Sequence, residues 1–303
     1  MSHRQRWLNL YLRNFEKQRM RHGTPATLRR TFENQARLFF HPPRGTRRKR
    51  TALGGIDCLE ISTPRRRPDR ILFYLHGGGF VFGSPDSHSA LAAQIAHRIG
   101  ARAILPRYRL APEAPFPAAP NDVAAAWRGL VAQGVDPADV VVGGDSAGGA
   151  LAFGLLATLL GEGAALPGAM FGLSPLTDLT CRSASFQNNA GQDVLLPAER
   201  AQSTIRLYLR ARPANDPAAS PLFADLAGAP PVWITVADTE ILREDSRRLA
   251  EKLRRGGADV TLIERHDLPH VWPMFHNVLP EARESLDALA AWIRQRQDWQ
   301  AES

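Results

Sequence analysis

Ser146 stands between two pairs of glycines in VVVGGDSAGGALAF, residues 140–153. Four glycines in so short a run select backbone geometry over packing, because each costs about 0.5–1 kcal/mol relative to alanine inside a regular element. Gly144-Asp145-Ser146-Ala147-Gly148 fits G-x-S-x-G, where small neighbours let the chain turn sharply and lift the serine oxygen clear. Taken alone, the motif also reads as an ordinary glycine-rich turn. A serine hydroxyl is a poor nucleophile until a base removes its proton, and the base needs an acid to orient it. The histidines downstream are His266, His270 and His276. His270 is the candidate base, because Pro269 and Pro273 keep HDLPHVWPMF irregular while fixing its course. The spacing of His266 and His270 would serve a metal only on a helix, which Pro269 disfavours, so no metal site is expected. For the acid, Asp238, Glu240, Glu244 and Asp245 follow VWITVA. Spacing alone favours Asp238, nearest the strand end, whereas Glu244 and Asp245 suit the first turn of a helix.

The elements that must position these groups are legible as alternating apolar runs. ILFYL at 71–75, ARAILP at 101–106, DVVVGG at 139–144, GAMFGLS at 168–174, VWITVA at 232–237 and DVTLIE at 259–264 read as strands. Helical stretches lie near 87–99, 121–133, 147–161, 241–255 and 281–296. That order predicts an α/β fold, a mostly parallel sheet with helices on both faces. The alternation breaks between about 181 and 230, where one helix and a proline-rich loop are inserted; insertions there belong to active-site lids more often than to scaffold. Near the N-terminus, Trp7, Leu10, Tyr11 and Phe15 are spaced to share one face of an amphipathic helix and should pack against the rest of the molecule.

A chain of 303 residues with 44% hydrophobic content can bury a large core. The net charge of +8 comes mainly from arginine, including Arg47-Arg48-Lys49-Arg50 and Arg65-Arg66-Arg67. No nucleic-acid motif accompanies these clusters, so they read as a solvated basic face and no nucleic-acid partner is expected. Cys58 and Cys181, without a C-x-x-C, fit a reducing compartment or indifference to redox state. The N-terminus lacks the uninterrupted apolar region of a signal peptide, and no segment reaches the roughly 18 apolar residues of a membrane span. A cytoplasmic location is the expectation.

His76-Gly77-Gly78-Gly79-Phe80 directly follows ILFYL, and YRLAPE at 108–113, FPAAPND at 116–122, the serine motif, SPLTDLT at 174–180 and His270 follow in order. In these motifs, across residues 70 to 276, the chain resembles the hormone-sensitive-lipase family of α/β-hydrolases. The resemblance implies an α/β-hydrolase fold with a small helical cap, built from residues 1–48 and an insertion at about 181–215, on a catalytic domain spanning 49–303. It implies a Ser146, acid, His270 triad in chain order. The family's D-P-L-x-D-E stretch fits only at Glu240-Ile241-Leu242-Arg243-Glu244-Asp245, which puts glutamate at the acid position and leaves Asp238 as its rival. It further implies that backbone N–H groups of Gly78, Gly79 and Ala147 form the oxyanion hole, with His76 shaping that loop and Asp145 anchoring the elbow. Phe80, Phe82, Leu196 and Tyr208 are candidates to bind substrate, with Trp7, Leu195 and Leu207 beside them.

The expected activity is hydrolysis of short- to medium-chain carboxylic esters without a cofactor. The alternatives are a lactone or amide hydrolase with the same triad, and a non-catalytic small-molecule receptor. Retention of serine, histidine and an acid favours the enzyme. Absence of G-x-x-x-x-G-K-[ST] and of a strand-following G-x-G-x-x-G disfavours a nucleotide enzyme. The resemblance also allows a homodimer.

Overall fold

The computed structural model describes residues 2–67 and 69–299. Its centre is one eight-stranded sheet formed by β1 (Arg47–Leu53), β2 (Ile56–Ser62), β3 (Ile71–Leu75), β4 (Arg102–Pro106), β5 (Val140–Asp145), β6 (Ala169–Leu173), β7 (Val232–Ala237) and β8 (Val260–Arg265). The spatial order is β1-β2-β4-β3-β5-β6-β7-β8. β4, β3 and β5 to β8 run parallel, and β1 and β2 join as an antiparallel hairpin at the β4 edge.

The helices are α1 (His3–Tyr11), α2 (Lys17–His22), α3 (Pro25–Phe39), α4 (Ser89–Ile99), α5 (Ala118–Val131), α6 (Ala147–Glu162), α7 (Ala184–Asn188), α8 (Ala198–Leu209), α9 (Arg243–Arg255) and α10 (Pro280–Arg296). A π-helical turn, Leu12–Glu16, joins α1 to α2. Period-two alternation on the strands divides the core between the two faces. Along β3, Ile71, Phe73 and Leu75 belong to the core half to which α5, α6 and α9 also contribute, while Leu72 and Tyr74 belong to the half shared with α4 and α10. None of the described helices is long and apolar enough to cross a membrane.

The basic run Arg47-Arg48-Lys49-Arg50 is solvated, as expected, and forms the exposed edge strand β1, where repeated cations discourage pairing with another chain. Two other expectations are corrected. The insertion between β6 and β7 carries two helices, α7 and α8, where one was expected. Most unusual is α1, which packs the other way round. Gln5 and Asn9 are its buried residues, with Leu12 of the following turn, and Trp7, Leu10 and Tyr11, with Phe15 of that turn, face outward. The Gln5 side-chain amide donates to the carbonyls of His266 (3.2 Å) and Asp267 (2.6 Å), and that of Asn9 donates to Asp267 (2.8 Å). Side-chain amides, not aromatics, hold α1 down.

The parallel strands aim their carboxyl ends at one rim, where ligands of open α/β sheets bind. His76, Ser146, Ser174, Glu240 and His270 all follow such an end. The β5–α6 turn fits there because α6 approaches β3 closely, and a Cβ on Gly148 would collide with the Leu75 carbonyl. Gly148→Ala is therefore expected to destabilise by about 1–3 kcal/mol. Gly154, mid-helix in α6 with open space at its Cβ position, gives the control: Gly154→Ala should stabilise by about 0.5–1 kcal/mol. Urea denaturation of both variants checks the pair, and equal effects would remove the close approach as the reason for glycine at 148.

Candidate active site

Ser146 takes a left-handed conformation, φ 52° and ψ −121°, between β5 and α6. Such a backbone costs on the order of 1–3 kcal/mol and persists only where neighbours over-determine it. The Ser146 N–H donates to the Leu173 carbonyl at 3.0 Å, and the Ser146 carbonyl accepts from Gly149 and Leu176, each at 3.0 Å. The adjacent Asp145 is buried, and its carboxylate accepts from the Tyr74 hydroxyl (2.7 Å) and the Gly77 N–H (3.0 Å). Burial works to raise this carboxyl, but His88, 3.4 Å away, together with Tyr74, holds it below the usual range. One side chain thus ties the serine turn to the triple-glycine loop.

His76 shapes that loop without titrating. Burial, with His88 adding to it, pushes its pKa down to about 3, so the ring is neutral and stacks on Tyr108 with centroids 4.2 Å apart. Its Nδ1 lies 2.8 Å from the Gly77 carbonyl, and the Tyr108 hydroxyl donates to the His76 carbonyl. Gly78 then turns with φ 113°, which side-chain-bearing residues rarely adopt.

The structure brings His270 to Glu240, with Nδ1 to Oε2 at 2.6 Å, and Asp238 to His266, with Oδ2 to Nδ1 at 2.6 Å. The two histidines therefore face different carboxylates. Asp238 also accepts from the Asp267 N–H at 2.9 Å, and His266 is largely exposed. Glu240 and His270 are both buried. The other Glu240 oxygen, Oε1, accepts from the Ala237 N–H (2.7 Å) and the Ser174 hydroxyl (2.8 Å). Burial opposes protonation of His270, yet the charge and hydrogen bond of Glu240 outweigh it and raise the imidazole pKa. With Nδ1 committed to Glu240, the ring presents Nε2 toward a partner.

Ser146 and His270 border one cavity of about 480 Å³, together with Gly78, Gly79, Phe82, Leu195 and Leu196. α1, the π-helical turn after it and α3 line it through Leu8, Leu12, Leu28 and Phe32. Ala147 is not on the wall; it is the first residue of α6, one of the positions whose N–H has no partner within its helix. Phe80 and Tyr208 do not border the cavity. Both are fully buried and stack on each other 3.8 Å apart, so their place is in the core beneath it. Trp7 and Leu207 do not border it either, and Trp7 is 73% exposed.

Sequence reasoning gave no role to four residues that hold this arrangement. Ser174 lies within SPLTDLT; besides donating to Glu240, its hydroxyl accepts from the Val271 N–H at 3.2 Å. Buried Asp193, from the insertion, accepts from the N–H groups of Leu195 (2.9 Å), Leu196 (2.8 Å) and Ile241 (3.0 Å). Burial, then the charge of Glu240, raises its carboxyl pKa. Asn189 donates to the carbonyls of Asp238 and Glu240, and Lys17 to those of Ala190 and Asp193. Lys17, Asn189 and Asp193 stand in the polar stretches NFEKQRM and FQNNAGQDV, where nothing in the sequence sets them apart.

The description "alpha/beta hydrolase fold" belongs to a family model that matches residues 72–274. An acetyl-hydrolase of Streptomyces hygroscopicus is 39% identical over 231 residues, covering 76% of this chain and 77% of the relative. An esterase of Acinetobacter venetianus is 34% identical over 268 residues, 88% of each chain. The crystal structure of an esterase from the bacterial hormone-sensitive lipase family superposes with a TM-score of 0.93 at 35% identity, over 98% of this chain and 99% of that one. This chain belongs to the hormone-sensitive-lipase family of α/β-hydrolases.

Two measurements follow from the Glu240 contacts. The His270 imidazole should titrate above the ordinary 6.5, and Glu240→Gln should lower that value, because burial then acts without the facing charge. Proton NMR of the imidazole checks this, and an unmoved value would mean that Glu240 does not control the ring. Ser174→Ala leaves a buried carboxylate short of one donor and should cost about 1–3 kcal/mol in urea denaturation.

Proposed function

We propose that this chain hydrolyses short- to medium-chain carboxylic esters through an acyl-enzyme on Ser146, with His270 as general base and Glu240 as the acid that orients it. By family and fold it is a carboxylic ester hydrolase; the acyl range and residue roles are the proposal. The observation that carries it is the 2.6 Å contact between His270 and buried Glu240 beside the cavity that Ser146 also borders.

In this mechanism the Ser146 oxygen attacks the ester carbonyl as His270 Nε2 takes its proton, and Glu240 stabilises the imidazolium. The carbonyl electron pair moves onto oxygen, where the N–H groups of Gly78, Gly79 and Ala147 receive the charge. Collapse expels the alcohol, which takes the proton from His270. Water then repeats the sequence on the acyl-enzyme, releasing the carboxylic acid and restoring Ser146. A cavity of about 480 Å³ walled by Leu8, Leu12, Leu28, Phe32 and Phe82 supports acyl groups longer than acetyl.

Rates on p-nitrophenyl esters from acetate to palmitate should peak between butyrate and octanoate. Ser146→Ala and His270→Ala should lower kcat by about 10⁴-fold or more, and Glu240→Ala by about 10²-fold or more. Asp238→Ala should lose less than about threefold, because Asp238 faces His266. If it proved more damaging than Glu240→Ala, the acid assignment would fall.

The pH profile gives an independent check. His270 must be neutral to accept the serine proton, so kcat/KM should fall as pH drops through its raised pKa, above the ordinary 6.5. Glu240→Gln should move this acidic limb to lower pH while reducing the plateau. A limb unchanged by that substitution would assign the titration to another group.

A further inference from the structure

The first 50 residues carry 14 Lys and Arg against two Asp and Glu, leaving 24 against 28 for the rest of the chain. The chain's positive charge is therefore concentrated in the N-terminal helices and β1, while the remainder is net acidic. The same region turns its large apolar side chains to solvent. Trp7 is 73% exposed, Phe15 60%, Leu38 67% and Phe39 53%, with Leu10 and Tyr11 also exposed.

These residues form a surface linked to the cavity. Trp7, Leu10 and Tyr11 have i, i+3, i+4 spacing on α1, and Phe15 stacks on Tyr11 at 5.5 Å. On α3, Leu38 and Phe39 follow Arg37, and the Gln35 side chain donates to Glu16 at 2.8 Å, tying the two helices together. Exposed Tyr11, Phe39 and Val278 also border the cavity, so the apolar surface continues through its mouth. Among the described residues, exposed Arg4, Arg6, Arg30 and Arg37 form no ion pair with an acid. A surface helix of a globular protein normally buries its apolar stripe. Here amides bury the polar side, and an apolar, aromatic face edged by free arginines is left outside.

We propose that α1 and α3 form an interfacial docking face for an anionic phospholipid surface, which seats the cavity mouth at the lipid boundary. Aromatic and leucine side chains entering the headgroup region, with arginines at phosphate level, are what such a surface recognises. Each arginine near an anionic leaflet strengthens binding several-fold, and salt weakens the attraction. A second copy of this chain fits less well, because two copies would bring the same cationic helices together.

Co-sedimentation of the full chain with phosphatidylcholine vesicles, with and without phosphatidylglycerol, tests this directly. The expected result is binding that requires phosphatidylglycerol, weakens as salt rises, and falls about tenfold or more both in Trp7→Ser/Phe15→Ser and in Arg4→Gln/Arg6→Gln. None of these four residues borders the cavity, so hydrolysis of dissolved p-nitrophenyl butyrate should remain unchanged in both variants. The charge variant, altered only at exposed arginines, keeps the test valid if the apolar variant fails to fold. Binding can also be read on Ser146→Ala, which separates it from the esterase reading. Failure to bind either vesicle, or equal binding to both at all salt concentrations, overturns the proposal. So does a dimer in sedimentation velocity that Trp7→Ser/Phe15→Ser dissociates, since that face would then join two copies.

Discussion

The carboxylate of Glu240, 1% exposed, sets the terms for the rest of the site. A buried carboxylate is tolerable only when its oxygens are met by donors, and these donors come from three separate places: the Ala237 N–H, the Ser174 hydroxyl and His270. The ends of β6, β7 and β8 must therefore converge on one point. The sheet supplies that convergence through ladders that continue past the strands, with the Ser174 N–H donating to Thr235 at 2.7 Å and the Asp238 N–H to Arg265 at 2.9 Å. Ser174 and Val271 take left-handed conformations, φ 48° and 53°, to bring their groups into line. The strain at Ser174 is tolerated because β6 beneath it is buried and paired on both sides.

A second buried carboxylate, that of Asp193, couples this convergence to the cavity wall. One oxygen fixes Leu195 and Leu196, both on the wall, and the other fixes Ile241, next to Glu240. Lys17 closes the same segment from the N-terminal side with its buried ammonium on two carbonyls, and burial lowers its pKa. Arg29 does the same work across the mouth, donating to the Val81 and Ala111 carbonyls and pairing with Glu113. Segments bordering the cavity are thus joined to those beside Glu240 and the triple-glycine loop by hydrogen bonds to backbone, which specify position more sharply than apolar contact does.

What could be read from the sequence divides along physical lines. Five of the six parallel strands are apolar runs buried almost throughout, and their signal is strong, while β8 at the edge is only partly buried. β1 and β2 escaped notice because an edge hairpin needs no such run: RRKRTAL is exposed over most of its length and IDCLEIS only alternates. The serine and histidine positions were legible from motif and proline placement. Spacing alone favoured Asp238 and the family register Glu240, since both leave the same strand end two residues apart; in the structure Glu240 faces His270 and Asp238 faces His266. Phe80 and Tyr208 failed as cavity residues for a related reason. An aromatic beside a glycine loop carries the same sequence signal whether it faces the cavity or the core below.

The inverted packing of α1 gives Asp238 and His266 a place in the argument. Asp238 holds the Asp267 N–H and the His266 ring, and so fixes the two carbonyls that Gln5 and Asn9 grip. The loop leading to His270 is thereby the anchor of the N-terminal helix. A net hydrogen bond contributes about 0.5–1.5 kcal/mol, whereas burying a large apolar side chain is worth about 1.5–3 kcal/mol. Three amide contacts alone therefore gain less than burial of Trp7, Leu10, Tyr11 and Phe15 would give, and burial of Leu12 on the present side offsets part of the difference. An apolar outer face edged by exposed arginines is the pattern of a helix that lies at an interface. Seen so, the polar anchor orients the helix by joining it to the loop that carries His270.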